Sequence, residues 1–520
     1  MKEFNTAGIC LPKKHYMCDI TAKFNRCRHL IESGKYFAIN FPRQYGKTTM
    51  QHLLEKSFQG VEEYLVISTS FEGIGDLPFQ SEEQMASVVP AVLAKGLFFN
   101  NPELADWLEV KSRQINSFKQ LSRFVSDWVR ESRLKIVLLL DEIDKASNNQ
   151  VFISFLALLR DKYLGTAQGR DATLHSVVLI GVHDVKTLKL KLDQDEERKL
   201  NSPWNIAVDV DVDFTFSQEE IEPMLADYAN EHGFQMDCPV LARLLFYYTS
   251  GNPFLVSKMC QVIDEMHQNR GPWSVNDIED AYKHLVDVSY SNTNFNDVYN
   301  NIENNPDFSQ LVRVIAIDGE DLVFDRGNPL IDLGATYGII KSNSAGRCDI
   351  ANKIYEFRII SYFISKRETA HQHLDRYRDS DFISNGRLQV SLILERFQWF
   401  MREHHSSRDN DFLEKNGRML LMSFFRPIIN GNGYMFKENV VAENRRMDLV
   451  VTYKNQRYVI ELKIWYGEKR LQDGIEQLCS YLDSYGLNEG HILIFNFNSN
   501  KTYDIREINH HRKHLTAFFV

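Results

Sequence analysis

Two sets of residues have the types and spacing to do chemistry, and they lie at opposite ends of the sequence. The first is Gly46-Lys47-Thr48-Thr49, which follows an apolar run at 36–41 and precedes a helical pattern through Met50, Leu53 and Leu54. Strand, tight turn and helix is the setting in which backbone N–H groups point at phosphate oxygens. Lys47 would reach the β- and γ-phosphates of ATP, and Thr48 would hold Mg²⁺ through its hydroxyl. The second set is Asp448 followed by Glu461-Leu462-Lys463. Residues 446–453 and 457–464 read as paired strands around a turn at Lys454-Asn455-Gln456. Side-chain alternation puts Glu461 and Lys463 on one face with Val459, and turns Ile460 and Leu462 the other way. An acid and a lysine in an apolar strand are costly unless paired or metal-bound. Asp448 would point at the same spot from the neighbouring strand. Asp448, Glu461 and a carbonyl near Leu462 would then offer hard oxygen ligands to Mg²⁺, with Lys463 orienting water or stabilising negative charge. That is the equipment of metal-assisted phosphodiester hydrolysis.

The elements that must position the first set follow in order. Residues 23–33 read as a helix with Phe24, Cys27, Leu30 and Ile31 on one face, stopped at Gly34. The run Lys135-Ile-Val-Leu-Leu-Leu140 ends in Asp141-Glu142. Its unbroken apolar character fits a central parallel strand covered on both faces. Acids at such a strand's C-terminal end sit where open α/β sheets bind ligands. Asp141 would hold the magnesium through water, and Glu142 would polarise the attacking water. A third buried strand, at 176–182, leads to His183 and Asp184. Either would sense the γ-phosphate; the other reading is a loop residue that caps the next helix. Ser217-Gln-Glu-Glu220 is a capping box that opens a helix with Ile221, Met224, Leu225 and Tyr228 inward.

The segment Tyr36-Phe-Ala-Ile-Asn-Phe-Pro-Arg-Gln-Tyr-Gly-Lys-Thr-Thr49 resembles the loop of the AAA-ATPase-like family of bacteria and archaea, close to the STAND group of signalling ATPases. In that family a Pro-Arg-x-x-Gly-Lys form replaces the first glycine, so Phe41 stands at the usual glycine position. The resemblance continues through Asp141-Glu-Ile-Asp144, Gly181-Val-His-Asp184, Ser202-Pro-Trp-Asn-Ile206 and Gly251-Asn-Pro253. It spans roughly residues 15–365. It implies nucleotide contacts from Arg43, Gly46, Lys47, Thr48, Thr49, Asp141 and His183, and Pro253 near the adenine. A helical lid and a winged helix would follow the sheet. ATPases of this kind are often completed by a neighbouring subunit's arginine; Arg160 and Arg198 are the candidates, which implies a homo-oligomer.

The second set resembles the PD-(D/E)xK nuclease superfamily over roughly residues 405–500. A helix at 412–425 carries Glu414, which would add an acid to the metal site. Strands with Asp448 and with Glu461-x-Lys463 follow. A helix at 470–485 then places Gln477 and Tyr481 one turn apart. Met447 stands where the superfamily's name has proline. The resemblance implies that Asp448, Glu461, Lys463 and Gln477 serve catalysis on DNA, with RNA also open.

Bulk properties bound these readings. A chain of 520 residues exceeds one core and implies about three or four domains. Net charge of −10 removes any global basic field, so nucleic acid would need a local patch. The seven cysteines include no C-x-x-C pair, which favours reduced thiols in a cytoplasmic protein over a disulfide framework. No signal-peptide layout opens the sequence, and the strongest apolar run, 136–140, is too short to span a bilayer. His510, His511 and His514 lack metal-site spacing and read as a solvated terminal helix or loop. The expected architecture is α/β: an AAA-like ATPase domain with a parallel sheet at 1–215, a helical lid at 216–290, a winged helix at 291–370, connecting helices at 371–404 and a restriction-endonuclease-like domain at 405–520. The middle domain shows no dense Arg/Lys face, so packing fits it better than groove reading. ATP would switch or assemble the nuclease, an architecture that suggests defence against foreign DNA. The other reading is a signalling or scaffold ATPase whose C-terminal domain binds without cutting.

Overall fold

A computed structural model describes the chain apart from residues 146–148, 183–188, 193–195, 200–202, 209, 211, 268–270, 288–289, 319–321, 371–381, 385, 405–416, 419, 423, 426–427, 430–432, 437–438, 441–444, 447–448, 455 and 499–500. The chain divides into two units, Met1–Tyr282 with Thr336–Gly338, and Lys283–Ala335 with Ile339–Val520.

In the first unit the apolar runs form a parallel sheet. Its strands are β1 (Phe37–Asn40), β2 (Tyr64–Ser70), β3 (Lys135–Asp141) and β4 (Ser176–Gly181), in the order β1-β4-β3-β2. Val208 bridges Phe37 in parallel. β3 and β4 are buried almost throughout because helices cover both faces. Alternation divides their side chains between two cores. Leu138, Leu140, Val177 and Leu179 pack with Tyr36, Phe152, Leu156 and Trp204. Val137, Leu139, Val178 and Ile180 pack with Phe37, Ile39, Met50 and Leu54. The helix α1 (Thr21–Glu32) buries Cys27, Leu30 and Ile31, and α2 (Lys47–Ser57) leaves the loop after β1.

The capping box is present: Ser217 accepts from the Glu220 backbone, and Glu220 returns a carboxylate to the Ser217 N–H. It opens the helix Gln218–His232, followed by Cys238–Thr249 and Pro253–His267. Gly251 has φ +72, and a Cβ there would overlap the Phe216 carbonyl oxygen. Only glycine fits this junction.

The second unit begins with helices Thr293–Glu303 and Pro306–Arg313, the latter ending in a π-turn, Val314–Asp318. The hairpin Ile340–Ser342/Cys348–Ile350 and the helix Lys353–Ala370 follow. Val323 adds a bridge to Arg347. Buried Arg358 donates to the carbonyls of Asp287 and Tyr290 and lies over the Phe295 ring at 4.2 Å, which ties this helical part together. Helix Val390–His404 then leads to a six-stranded mixed sheet. Its strands are β5 (Gly433–Phe436), β6 (Leu449–Tyr453), β7 (Gln456–Ile464), β8 (Glu489–Phe495), β9 (Ile505–His510) and β10 (Lys513–Phe519), in the order β5-β6-β7-β8-β10-β9. β6 and β7 form the expected antiparallel hairpin, β7 and β8 run parallel, and β8 pairs parallel with β10.

One expectation is overturned. The histidine-rich end is neither helix nor loop: β9 and β10 pair antiparallel around it, with His511 and Arg512 at φ 44° and 65° in the turn. In β10 Leu515, Ala517 and Phe519 are buried in the sheet core, so strand alternation outweighs the polar look of the three histidines. All seven cysteines are free, and among the described residues no helix is long and apolar enough to cross a membrane.

Candidate functional site

The phosphate loop is built by backbone geometry. Gln44 and Gly46 both take positive φ, 63° and 76°, and α2 begins at Lys47 with Gly46 as its N-cap. A glycine adopts this conformation without strain, and it turns the first-turn N–H groups of α2 toward the loop. Lys47 Nζ donates to the carbonyls of Phe41 and Pro42 at 2.6 and 2.8 Å. Burial pushes its ammonium down to about 8, against the pull of Asp144, Asp141 and Glu142. A half-buried cation on two neutral carbonyls is electrostatically ready for an anion. Arg43 is exposed on the same loop. Thr49 is buried, and its hydroxyl oxygen accepts from the Cys10 N–H at 3.0 Å.

The acids arrive from β3. Thr48 Oγ1 donates to Asp141 Oδ2 at 3.2 Å, which brings together the two residues expected to share a magnesium ion. Burial raises the Asp141 carboxyl above its ordinary range. Glu142 is raised by burial and then by Asp141 and Asp144, and it sits at φ 56°. A non-glycine residue in that region stores strain of about 1 kcal/mol or more. A group of acids beside a threonine hydroxyl and a lysine fits a divalent cation with a polyphosphate.

β4 lies between β1 and β3, so its end falls between the loop and the acids. His183 and Asp184, expected there, lie outside the described residues. Pro253 is buried at the first turn of its helix, behind Gly251. Arg160 is half-buried on the helix Gln150–Ala167, and its Nε has no hydrogen-bond partner among the described residues. The Arg198 side chain lies outside the description. Sequence reading missed the Cys10 contact and the grip of Asp144 on Val182; both join residues too far apart for local pattern to reveal.

The second site lies on β7. Glu461 is 0% exposed and Lys463 18%; Lys463 Nζ meets Glu461 Oε1 at 2.5 Å. Lys463 also donates to Gln477 Oε1 at 3.0 Å, and Gln477 Nε2 donates to Tyr481 Oη at 2.7 Å. The four residues singled out from spacing thus form one polar chain. The helix Glu468–Ser484 supplies its second half while Leu471, Ile475, Leu478 and Leu482 pack on Val459, Ile492 and Ile494. Asp448 and Glu414 lie outside the described residues. Among the described residues no group of three His, Cys, Asp or Glu is placed to hold a metal. What stands assembled is a buried carboxylate with an oriented lysine; a metal there would need further oxygen ligands.

Solved structures resemble the chain weakly. The Walker-type ATPase PABY2304 of Pyrococcus abyssi is 12% identical, covering 68% of this chain and 99% of that one, with a TM-score of 0.44. The Aeropyrum pernix ORC1 protein in complex with DNA is 14% identical over 68% and 94%, at 0.29. The Thermotoga maritima RuvB Holliday junction branch migration motor is 11% identical over 68% and 98%, at 0.33. Scores at this level establish no shared fold. No curated protein matches. The AAA-like domain family matches residues 9–272, the part that contains the phosphate loop, β1 to β4 and the helices after them. That match covers just over half of the chain, and the chain belongs to the AAA-like domain family of P-loop ATPases.

Proposed function

We propose that the protein binds and hydrolyses ATP and uses that cycle to control a Mg²⁺-dependent nuclease in its C-terminal part. The ATPase half rests on the family and on Lys47, Thr48 and Asp141. Lys47 would neutralise the β- and γ-phosphates, Thr48 and Asp141 would hold the metal, and Glu142 would take up the proton of the attacking water. Magnesium, when bound, screens charge on the transferring phosphate. Within this reading the chain divides into ATPase (1–215), lid (216–290), winged helix (291–370), connecting helices (371–404) and nuclease (405–520).

The observation that carries the nuclease half is the polar chain Glu461–Lys463–Gln477–Tyr481. A fully buried carboxylate is expensive to keep. An apolar residue would fill that place on β7 at less cost, so retention of Glu461 with a lysine held by Gln477 suits chemistry better than packing. Glu461 would supply an oxygen to the metal together with Asp448 and Glu414, and Lys463 would orient water at the scissile phosphate. The substrate in this reading is DNA, with RNA as the second candidate, and foreign DNA the biological target. An arginine from a second copy, Arg160 or Arg198, would complete the ATP site in a homo-oligomer.

The other reading needs no metal at the second site, where Glu461 is the acid that the described residues place beside Lys463. A signalling or scaffold ATPase would keep such a domain for binding alone. Incubation of linear, circular and single-stranded DNA with the wild type and Glu461→Ala separates the two. Mg²⁺-dependent loss of substrate that disappears in Glu461→Ala supports the nuclease. Intact DNA and RNA alongside steady ATP hydrolysis would favour the scaffold.

A further inference from the structure

The Asp-Glu-Ile-Asp run at the end of β3 splits its four side chains between four tasks, and only two of them are accounted for by magnesium and water. Asp141 faces Thr48, and Glu142 turns outward at positive φ. Ile143 is fully buried and anchors the short 3₁₀ turn Ile143–Lys145 in the core. Asp144 reaches sideways to the next strand. Both of its carboxylate oxygens accept the Val182 N–H, at 2.9 and 2.7 Å. Val182 is the first residue past β4, so this N–H has no ladder partner within the sheet.

The tip of β4 is tied on its other side as well. Asn40 pairs with Gly181, and the Phe41 N–H donates to the Gly181 carbonyl at 3.2 Å. Phe41 is the residue whose own carbonyl receives Lys47. A continuous path therefore runs from the acid turn through Asp144, Val182 and Gly181 to the phosphate loop. Gly181 is closely fitted in this path. A Cβ there would come within 2.7 Å of Ile143 Cγ1 and 3.0 Å of Asp144 Oδ1.

We infer that Asp144 is a positioning residue for ATP hydrolysis: it holds the tip of β4 at a fixed height between the phosphate loop and the catalytic acid. The assignment rests on the ATPase reading and goes beyond it. Strand tips in an open sheet are free to shift by an ångström or so, and a misplacement of that size at a reacting centre costs about 100-fold in rate. A carboxylate bonded through both oxygens to a backbone N–H is a charge-assisted anchor that a neutral cap would not match. Its effect falls on the geometry that the transition state needs, not on how tightly the ground state holds ATP.

Steady-state hydrolysis on the full chain tests this, with ATP affinity measured separately by a fluorescent ATP analogue. Asp144→Ala is expected to lower kcat by about 10- to 100-fold. KM and analogue affinity should stay within about threefold, because only transition-state contacts are lost. Asp144→Asn, which keeps one neutral acceptor for Val182, should recover only part of that rate. Gly181→Ala, whose added methyl would crowd Ile143 and Asp144 and push the same tip away while leaving the Asp144 charge in place, should reproduce the kcat loss. Wild-type kcat in a folded Asp144→Ala would overturn the assignment, leaving the ATPase reading intact. So would a rise in KM at unchanged kcat in both Asp144 variants, which would make the residue a charge partner of Lys47. If Asp144→Ala does not fold, Asp144→Asn and Gly181→Ala decide the question: full kcat in Gly181→Ala overturns it. A wild-type chain that binds ATP and never turns it over would remove the ATPase reading and this inference with it.

Discussion

The two candidate sites solve the problem of gathering charge in opposite ways. At the phosphate loop, Lys47, Thr48, Asp141, Asp144 and Val182 come from widely spaced parts of the chain and meet at the ends of parallel strands. Lys47 and Asp144 stay half-buried while Asp141 is buried, and backbone groups at α2 and β4 do much of the holding. On β7, Glu461, Lys463, Gln477 and Tyr481 lie within one strand and the helix that follows it. There the carboxylate is fully buried and side chains do the holding. A site at strand ends can open and close with its ligand. A site within a strand has little freedom to move and depends on its immediate partners.

If that contrast is right, losses at the second site should be steeper. Glu461→Ala is expected to remove metal-dependent cleavage by about 1,000-fold or more, since the half-buried lysine loses its counter-charge and the proposed metal site loses a ligand. Residual cutting at a tenth of wild type would break the contrast. At the first site Glu142→Gln should lower ATP hydrolysis by about 100- to 1,000-fold and leave ATP binding intact, because the residue is exposed and in the proposed role would act on the attacking water alone. A matching loss of nucleotide affinity, read with a fluorescent analogue, would show that Glu142 supports the loop as well.

Burial has a further cost in the second unit. His491 on β8 is half-buried, its Nδ1 enclosed with no partner among the described residues, and desolvation pushes its imidazole down from 6.5 to about 4. The unfolded imidazole binds a proton below its ordinary value while the folded one does not. Stability is therefore complete above about pH 6.5 and falls as pH drops toward 4, by about 3 kcal/mol at most. Denaturant melts from pH 7 to 4.5 should show this slope, and His491→Phe should flatten it. An equal slope in the variant would assign the acid sensitivity elsewhere. In the first unit the matching weak point is a backbone one. Gly251→Ala should destabilise the helices after the parallel sheet by about 1–3 kcal/mol through forced positive φ and collision with Phe216. Smallest is Gln477→Ala, which frees Lys463 on one side and should slow cleavage by about tenfold while costing roughly 1 kcal/mol of stability.

The same contrast explains what was legible in the sequence. The chain Glu461–Lys463–Gln477–Tyr481 is local: the strand period paired Glu461 with Lys463, the helix period paired Gln477 with Tyr481, and only the family resemblance joined the two pairs. Runs such as 135–140 and 176–182 announced buried parallel strands because both faces are covered, and the Ser217–Glu220 cap is a local pattern too. The grip of Asp144 on Val182 and the Cys10–Thr49 contact belong to strand order, which no period records. The end of the chain misled for a different reason. His510, His511 and His514 look solvated, and the alternation that makes β10 a strand is carried by Leu515, Ala517 and Phe519 beside them.

The account stands or falls on coupling between the sites. The direct measurement is the rate of Mg²⁺-dependent DNA cleavage with and without ATP, for the wild type and for Lys47→Ala. The account predicts that ATP changes the wild-type rate by about tenfold or more and leaves the Lys47→Ala rate unmoved, as a ligand acts only through differential affinity for two states. Cleavage that ignores ATP in both proteins would contradict it and leave two unconnected modules in one chain.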